Sequence, residues 1–151
     1  MSDSELKLPK APIVEAVLDI ECDMPPAFDM AAIETKVHSC YSDTYPTFRR
    51  LFFQEANFET EPEKQPKMSV RHGIQAFQFR QQDEKQLVQI RALGFSFNRL
   101  DPYTSLDDYL PEIERTWKLF VGVTSPIEIR IIRLRYINRI LLPLTDRKSV
   151  V

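Results

Sequence analysis

The stretch Pro12-Ile13-Val14-Glu15-Ala16-Val17-Leu18-Asp19-Ile20-Glu21-Cys22 has an apolar residue at every even position. Three of its odd positions, Glu15, Asp19 and Glu21, are acidic. An alternation of period two with one apolar face is typical of a half-buried β-strand. We therefore expect the even side chains, Leu18 among them, to face a hydrophobic core.

Hydrophobic periodicity predicts the elements that follow this strand. They are a helix through Met30, Ile33, Val37 and Tyr41, strands at residues 47–58, 68–80 and 86–92, a continuation of the last strand through residues 95–97, a helix at 106–121 and a strand at 127–142. The connections are mostly hairpins. This order, strand, helix, three or four strands, helix, strand, predicts an α+β domain in which an antiparallel or mixed sheet carries two helices on one face.

The start of the second helix has two local signals. Ser105 followed by Asp108 resembles a capping box, although Asp replaces the preferred Glu. Pro111 lies within the predicted helix, where a proline costs about 3 kcal/mol unless it falls in the first turn or a kink absorbs it. We expect a late start or a bend at this position.

Composition and charge limit the possible functions. The chain of 151 residues has the length of one domain, and its formal net charge is −2. Nucleic-acid binders usually carry a basic excess, so this charge argues against that class. Cys22 and Cys40 lack paired spacing, and no apolar run is long enough for a bilayer. We expect a cytoplasmic protein that does not contact a membrane.

Few residues suggest catalysis or cofactor binding. The three glycines, Gly73, Gly94 and Gly122, are far apart, whereas phosphate-binding loops need clustered glycines. His38 and His72 have no cysteine or carboxylate at metal-ligand spacing. The sequence predicts no catalytic residue, metal or cofactor.

The last strand contains the most suggestive side chains. Arg133, Arg135 and Arg139 share parity with Ile137, so a regular strand projects them from one face. Such a row of bidentate donors is a candidate anion-binding site. The alternative, which we favour, is that these arginines pair across strands with the three acidic residues of the first strand.

Tyr136 and Asn138 occupy the other face of the same strand, with Leu134. Both side chains are candidates for orienting a ligand by hydrogen bonds. The favoured alternative is that they anchor a loop or satisfy a strand end.

Three segments together resemble a known family. They are LPKAPIVEA at residues 8–16, GFSFNRL at 94–100 with Pro102 and Tyr103 after it, and LRYINRI at 134–140. The combination resembles a prokaryotic family known only as sporadically distributed, whose members are longer and have no assigned activity. The resemblance implies that this chain is the N-terminal part of such a protein.

The last six residues indicate truncation independently. Asp146-Arg147-Lys148-Ser149-Val150-Val151 is the translation of one reading frame of a common sequencing adapter, gat-cgg-aag-agc-gtc-gtg, as in an environmental read. We expect the natural gene to depart from this sequence near Thr145. The predicted organisation is a loose tail at 1–7, one α+β domain at 8–145 truncated at its C-terminus, and an adapter-derived tail at 146–151. The last strand is then expected to leave an open sheet edge.

These observations favour a non-enzymatic binding or interaction module of a larger cytosolic prokaryotic protein. Its expected partner is another protein or its own missing C-terminal part. One alternative is nucleic-acid or nucleotide binding through the arginine-rich strand, which the net charge disfavours. A second alternative is an enzyme whose site requires the missing C-terminal part.

Overall fold

A computed structural model describes residues 13–60, 62–63, 65–100 and 102–138. Several predictions lie outside these residues. They concern the loose tail at 1–7, the first five residues of the LPKAPIVEA segment, Arg139, the end of the last predicted strand, and the tail at 146–151.

Six strands and two helices form the described part of the chain. They are β1 (Ile13–Asp23), α1 (Met30–Tyr41), β2 (Thr47–Glu59), β3 (Lys67–Arg80), β4 (Gln86–Arg91), β5 (Gly94–Leu100), α2 (Leu106–Thr124) and β6 (Glu128–Asn138). The strands form one antiparallel sheet in the order β2-β3-β4-β5-β1-β6. The predicted α+β class is confirmed, and the sheet is antiparallel rather than mixed.

The segment that was predicted as one continued strand at residues 86–97 is a hairpin. Ala92 and Leu93 form the turn, and Arg91 pairs with Gly94. Gly94 has a φ of 156°, and a Cβ at this residue would lie 2.0 Å from the Ile20 carbonyl oxygen. Glycine is therefore required because the backbone of β1 passes directly over this position.

Both helices pack on one face of the sheet. The core cluster of buried residues is Ile20, Cys22, Met30, Val37, Tyr41, Tyr45, Phe77, Phe79, Val88, Ile90, Phe95, Phe97, Ile113 and Phe120. On β1, Ala16, Ile20 and Cys22 are buried and Leu18 packs partly buried against the cluster, so the predicted core face is confirmed. Val17 and Asp19 on the opposite face are buried as well, so the prediction of a half-buried strand is wrong in the middle of β1, which lies between β5 and β6. Tyr41 Oη joins the helices by donating to the Thr116 carbonyl at 2.7 Å.

The helix α2 begins at Leu106, as the predicted range 106–121 has it, and ends three residues later than predicted. It runs through Pro111, so the expected late start is wrong, and the alternative of a bend at Pro111 stays a prediction. Ser105 is the N-cap but makes no side-chain capping bond, and the Thr104 hydroxyl instead donates to the Asp108 carboxylate. In a capping box the Asp108 carboxylate would accept from the backbone N–H of Ser105. Here it accepts from the Thr104 hydroxyl instead. Neither α1 nor α2 combines the length and apolarity that crossing a membrane requires.

Candidate interaction surface on the last strand

The strand β6 lies at one edge of the sheet. It pairs with β1 on one side, and no other described strand pairs with it. The edge is thus open in the described part of the chain, as expected from the sequence. An open edge presents unpaired backbone N–H and C=O groups that another strand can bind.

Two of the three predicted arginines project from the same face of β6. In the β1–β6 register Arg135 lies opposite Val17 and Arg133 opposite Asp19. Arg135 Nη2 donates to Asp19 Oδ2 at 2.9 Å, and Arg133 Nη1 lies 3.9 Å from Glu21 Oε1. The structure therefore places both arginines beside acidic residues of β1. Whether they also bind an anion stays a prediction.

Asp19 is the most enclosed carboxylate on this face, with only 7% of the residue exposed. Besides Arg135, it accepts from Ser96 Oγ at 2.6 Å and from Arg91 Nη1 at 3.4 Å. Two arginines and a hydroxyl thus neutralise and solvate one buried negative charge. Ser96 and Arg91 were not predicted as site residues, although both occupy the polar positions of alternating strands.

Tyr136 lies on the opposite face, beside α2. Its hydroxyl is 3.3 Å from that of Tyr103, whose ring stacks on Tyr109 at 5.5 Å between centroids. The Arg99 guanidinium lies 5.2 Å from the centre of the Tyr109 ring. Burial, followed by the hydrogen bond that the Tyr103 hydroxyl shares with Tyr136, raises the pKa of Tyr103 above its ordinary value. These contacts form a cluster at the start of α2, whereas Asn138 is exposed at the end of β6.

The side chains of β6 that carry the largest apolar surface are exposed. Exposure is 46% for Ile129, 39% for Ile131, 60% for Ile132, 40% for Leu134, 44% for Tyr136 and 42% for Ile137, and Ile127 just before the strand is 64% exposed. We call these seven residues the β6 apolar strip. Ile132, Leu134 and Tyr136 lie on one face of β6, and Ile131 and Ile137 lie on the other. Clustered exposed apolar side chains of this kind are typical of interaction sites. The sequence predicted a strand rich in isoleucine here but not its exposure.

The two histidines lie away from this surface. His38 packs on Phe48 and Phe79, with ring centroids 4.1 Å and 5.4 Å apart. His72 lies in β3, opposite Gln54. In the residues that the structure describes, no group of three or more His, Cys, Asp or Glu side chains is arranged to hold a metal ion.

Comparisons with models of protein families, with curated proteins and with solved structures found no match. The resemblance to the sporadically distributed family therefore stays a prediction from the quoted segments.

Proposed function

We propose that this domain is a non-enzymatic interaction module of a larger cytosolic prokaryotic protein, and that β6 receives one β-strand from a binding partner. The observation that carries the proposal is the combination of an open edge with the β6 apolar strip. Addition of a strand to such an edge gives affinity through main-chain hydrogen bonds and specificity through alternate side chains.

The side chains of β6 define the partner strand by their alternation. Directly opposite residues of an antiparallel pair share a face of the sheet. On one face Ile132, Leu134 and Tyr136 are exposed and apolar, which favours apolar residues opposite them. On the other face Arg133 and Arg135 remain 50% and 58% exposed, which favours acidic residues. The expected partner strand alternates apolar and acidic residues.

A second copy of this chain fits the edge less well. Antiparallel pairing of two β6 strands about Leu134 would place Arg133 of each copy opposite Arg135 of the other. Like charges directly opposite each other destabilise a strand pair. The nucleic-acid alternative also has less support, since the chain has a formal net charge of −2 and not the basic excess usual for that class.

A synthetic peptide tests the proposal. The probe is a fluorescently labelled peptide of about nine residues in which valine and glutamate alternate, since this length matches an ordinary strand. The control peptide alternates valine and lysine. We expect the acidic peptide to bind with an affinity at least about tenfold higher, because only its charges complement Arg133 and Arg135. Fluorescence anisotropy measures both affinities.

Two variants locate the binding site. Ile132→Asp places a charge in the β6 apolar strip, and Leu93→Asp places the same charge in the β4–β5 turn, where the leucine is equally exposed at 60%. Binding of the acidic peptide should be lost in the first variant and kept in the second. Equal binding of the two peptides, equal loss in the two variants, or no binding of the acidic peptide would contradict the proposal.

A further inference from the structure

The strand β2 forms the second edge of the sheet and is long for an edge strand. It has 13 residues, and among the described strands only β3 pairs with it. The irregularity between these two strands inserts its extra residue, Gln75, in β3, so the outer edge of β2 stays regular. Edge strands are usually protected by lysine, proline or a bulge, and β2 contains none of these. Its outer edge is therefore suited to pairing with another strand.

The side chains of β2 alternate between the two faces of the sheet. Even positions face the helices, since the Phe48 ring lies 4.1 Å from that of His38 and Arg50 Nη2 donates to Glu34 Oε2 at 2.7 Å. Phe52 continues this face and is 64% exposed. The odd positions Arg49, Leu51, Phe53 and Glu55 share the opposite face.

The sequence of β2 is complementary to itself in one antiparallel register. If two copies of β2 pair about Phe52, each Phe52 lies opposite the other, and Leu51 lies opposite Phe53. Arg49 then lies opposite Glu55. Apolar pairs and pairs of opposite charge both stabilise neighbouring strands. A two-fold axis at Phe52 repeats the Arg49–Glu55 pair, so the interface contains it twice.

The adjacent registers that keep the faces aligned lack this complementarity. Pairing about Leu51 places Arg49 opposite Phe53, and pairing about Phe53 places Glu55 opposite Leu51. Each of these registers sets a charged residue against an apolar one. The two edges of the sheet thus differ, because β2 complements itself whereas self-pairing of β6 opposes like charges.

The helices leave room for this pairing. Neighbouring strands lie about 4.8 Å apart, so the two β3 strands would be about 14 Å apart with both β2 strands between them. The helix α1 packs mainly on β3. The two α1 helices would then be farther apart than the roughly 8 to 10 Å of direct helix contact. The gap between them has space for the two Phe52 rings at the axis.

From this self-complementarity we infer that the chain forms a two-fold symmetric dimer in which the β2 strands pair antiparallel about Phe52. The dimer has one continuous sheet with a β6 edge at each far end. It therefore presents two strand-binding edges, which increases avidity for a partner with two binding strands. Pairing through one strand of each copy buries less than the roughly 800 Å² per partner of a standard interface, so we expect dissociation on dilution.

A charge exchange tests the register. Sedimentation velocity of the full chain over roughly 1 to 200 μM should show a monomer that becomes a dimer as concentration rises. Arg49→Glu and Glu55→Arg each place like charges opposite each other at two points, and each should raise the dimer Kd at least about tenfold. An equimolar mixture of these two variants should recover the dimer, because every pair again joins opposite charges.

A matched control separates this effect from a general effect of charge. Lys118→Glu makes the same charge change as Arg49→Glu on the exposed surface of α2, and the dimer Kd should stay unchanged. Circular dichroism of each variant confirms that the fold is kept.

Cysteine cross-linking gives a second measure of the register. Phe52→Cys and Phe58→Cys replace side chains of similar exposure, 64% and 67%. Under mild oxidation only Phe52→Cys should form a covalent dimer, because the two Phe58 positions lie roughly 40 Å apart along the paired strands. The unmodified chain controls for Cys22 and Cys40. Non-reducing electrophoresis measures the covalent dimer.

Three results would overturn the inference. They are a chain that stays monomeric up to the highest concentration, a mixture of the two charge variants that dimerises no better than either alone, and equal cross-linking of the two cysteine variants.

Discussion

Asp19 and Asp23 both lie on β1 and each accepts a hydrogen bond from an arginine of β6, but their surroundings differ. The Asp19 side chain is 10% exposed and has three donors, whereas the Asp23 side chain is 37% exposed and contacts Arg130 at 3.1 Å. An exposed ion pair adds little stability, while removal of an enclosed carboxylate leaves its donors unsatisfied.

We therefore expect Asp19→Ala to lower the free energy of unfolding by about 2 to 3 kcal/mol. Asp23→Ala should lower it by less than about 1 kcal/mol. Urea unfolding followed by circular dichroism measures both values. Equal losses in the two variants would show that the enclosure of Asp19 contributes nothing.

Glu112 on α2 connects the helix to the loop after α1. Its carboxylate accepts from Tyr45 Oη at 2.7 Å and from Arg115 Nε at 2.7 Å. Burial raises the pKa of Glu112, but the hydrogen bonds from Arg115 and Tyr45 outweigh burial and leave this pKa below its ordinary value. The charged carboxylate is thus more favourable in the folded protein than in the unfolded chain.

The sign of the pH dependence follows from linkage. A carboxyl group whose pKa is lower in the folded state contributes stability at pH values above its unfolded pKa of about 4.3. That contribution is lost as the pH falls through the lower folded pKa. The stability difference between the unmodified chain and Glu112→Gln should therefore be largest above about pH 5 and shrink in more acidic buffer. Urea unfolding across this range measures it, and a difference that grows with acidity would contradict the assignment.

At the scale of elements, Gly94 and Gly122 both lie between apolar residues, but only one of the two positions requires glycine. A Cβ at Gly122 in α2 would meet no atom within 4 Å, whereas a Cβ at Gly94 in β5 would collide with the backbone of β1. Glycine loses more backbone entropy on folding than alanine does, and at an open helix position no close contact compensates for this cost.

Gly122→Ala should raise the free energy of unfolding by about 0.5 to 1 kcal/mol. Gly94→Ala should lower it by several kcal/mol, of order 3 or more, because β1 and β5 would have to separate locally. Thermal unfolding by calorimetry distinguishes the two directions. A destabilised Gly122 variant would indicate that α2 packs more closely at this residue than the structure shows.

Elements with strong hydrophobic periodicity could be predicted from the sequence. A turn that lacks glycine, proline, asparagine and aspartate could not. The even face of β1 was predicted correctly because Ala16, Ile20 and Cys22 repeat at period two. The β4–β5 hairpin was missed since Ala92 and Leu93 are not typical turn residues, so alternation continued through them. The close approach that requires Gly94 involves β1, which is distant in sequence.

At the scale of the whole molecule, sequence patterns identify apolar residues but not what covers them. The sequence predicted a final strand rich in isoleucine, and the structure leaves these side chains exposed because α1 packs mainly on β3 and α2 on β5. Exposure of β6 depends on which elements reach the sheet edge, and periodicity contains no such information.

The opposite end of the sheet is also incompletely covered. Beyond the register shift at Leu51 and Phe52, the β2–β3 hairpin pairs with no other described strand. Phe52, Phe58 and Met68 on this hairpin are 64%, 67% and 68% exposed. A two-stranded hairpin without a packed face is only marginally stable. The domain thus has a well-packed centre between two weakly protected ends.

Hydrogen exchange monitored by mass spectrometry tests this gradient together with the proposed site on β6. Amides of β1, β4 and β5 should exchange slowest, and those of β6 and of the outer β2–β3 hairpin fastest, because local opening there exposes little buried surface. The acidic peptide should slow exchange in β6 alone. If the acidic peptide protected both edges of the sheet equally, the assignment of its binding site to β6 would be wrong.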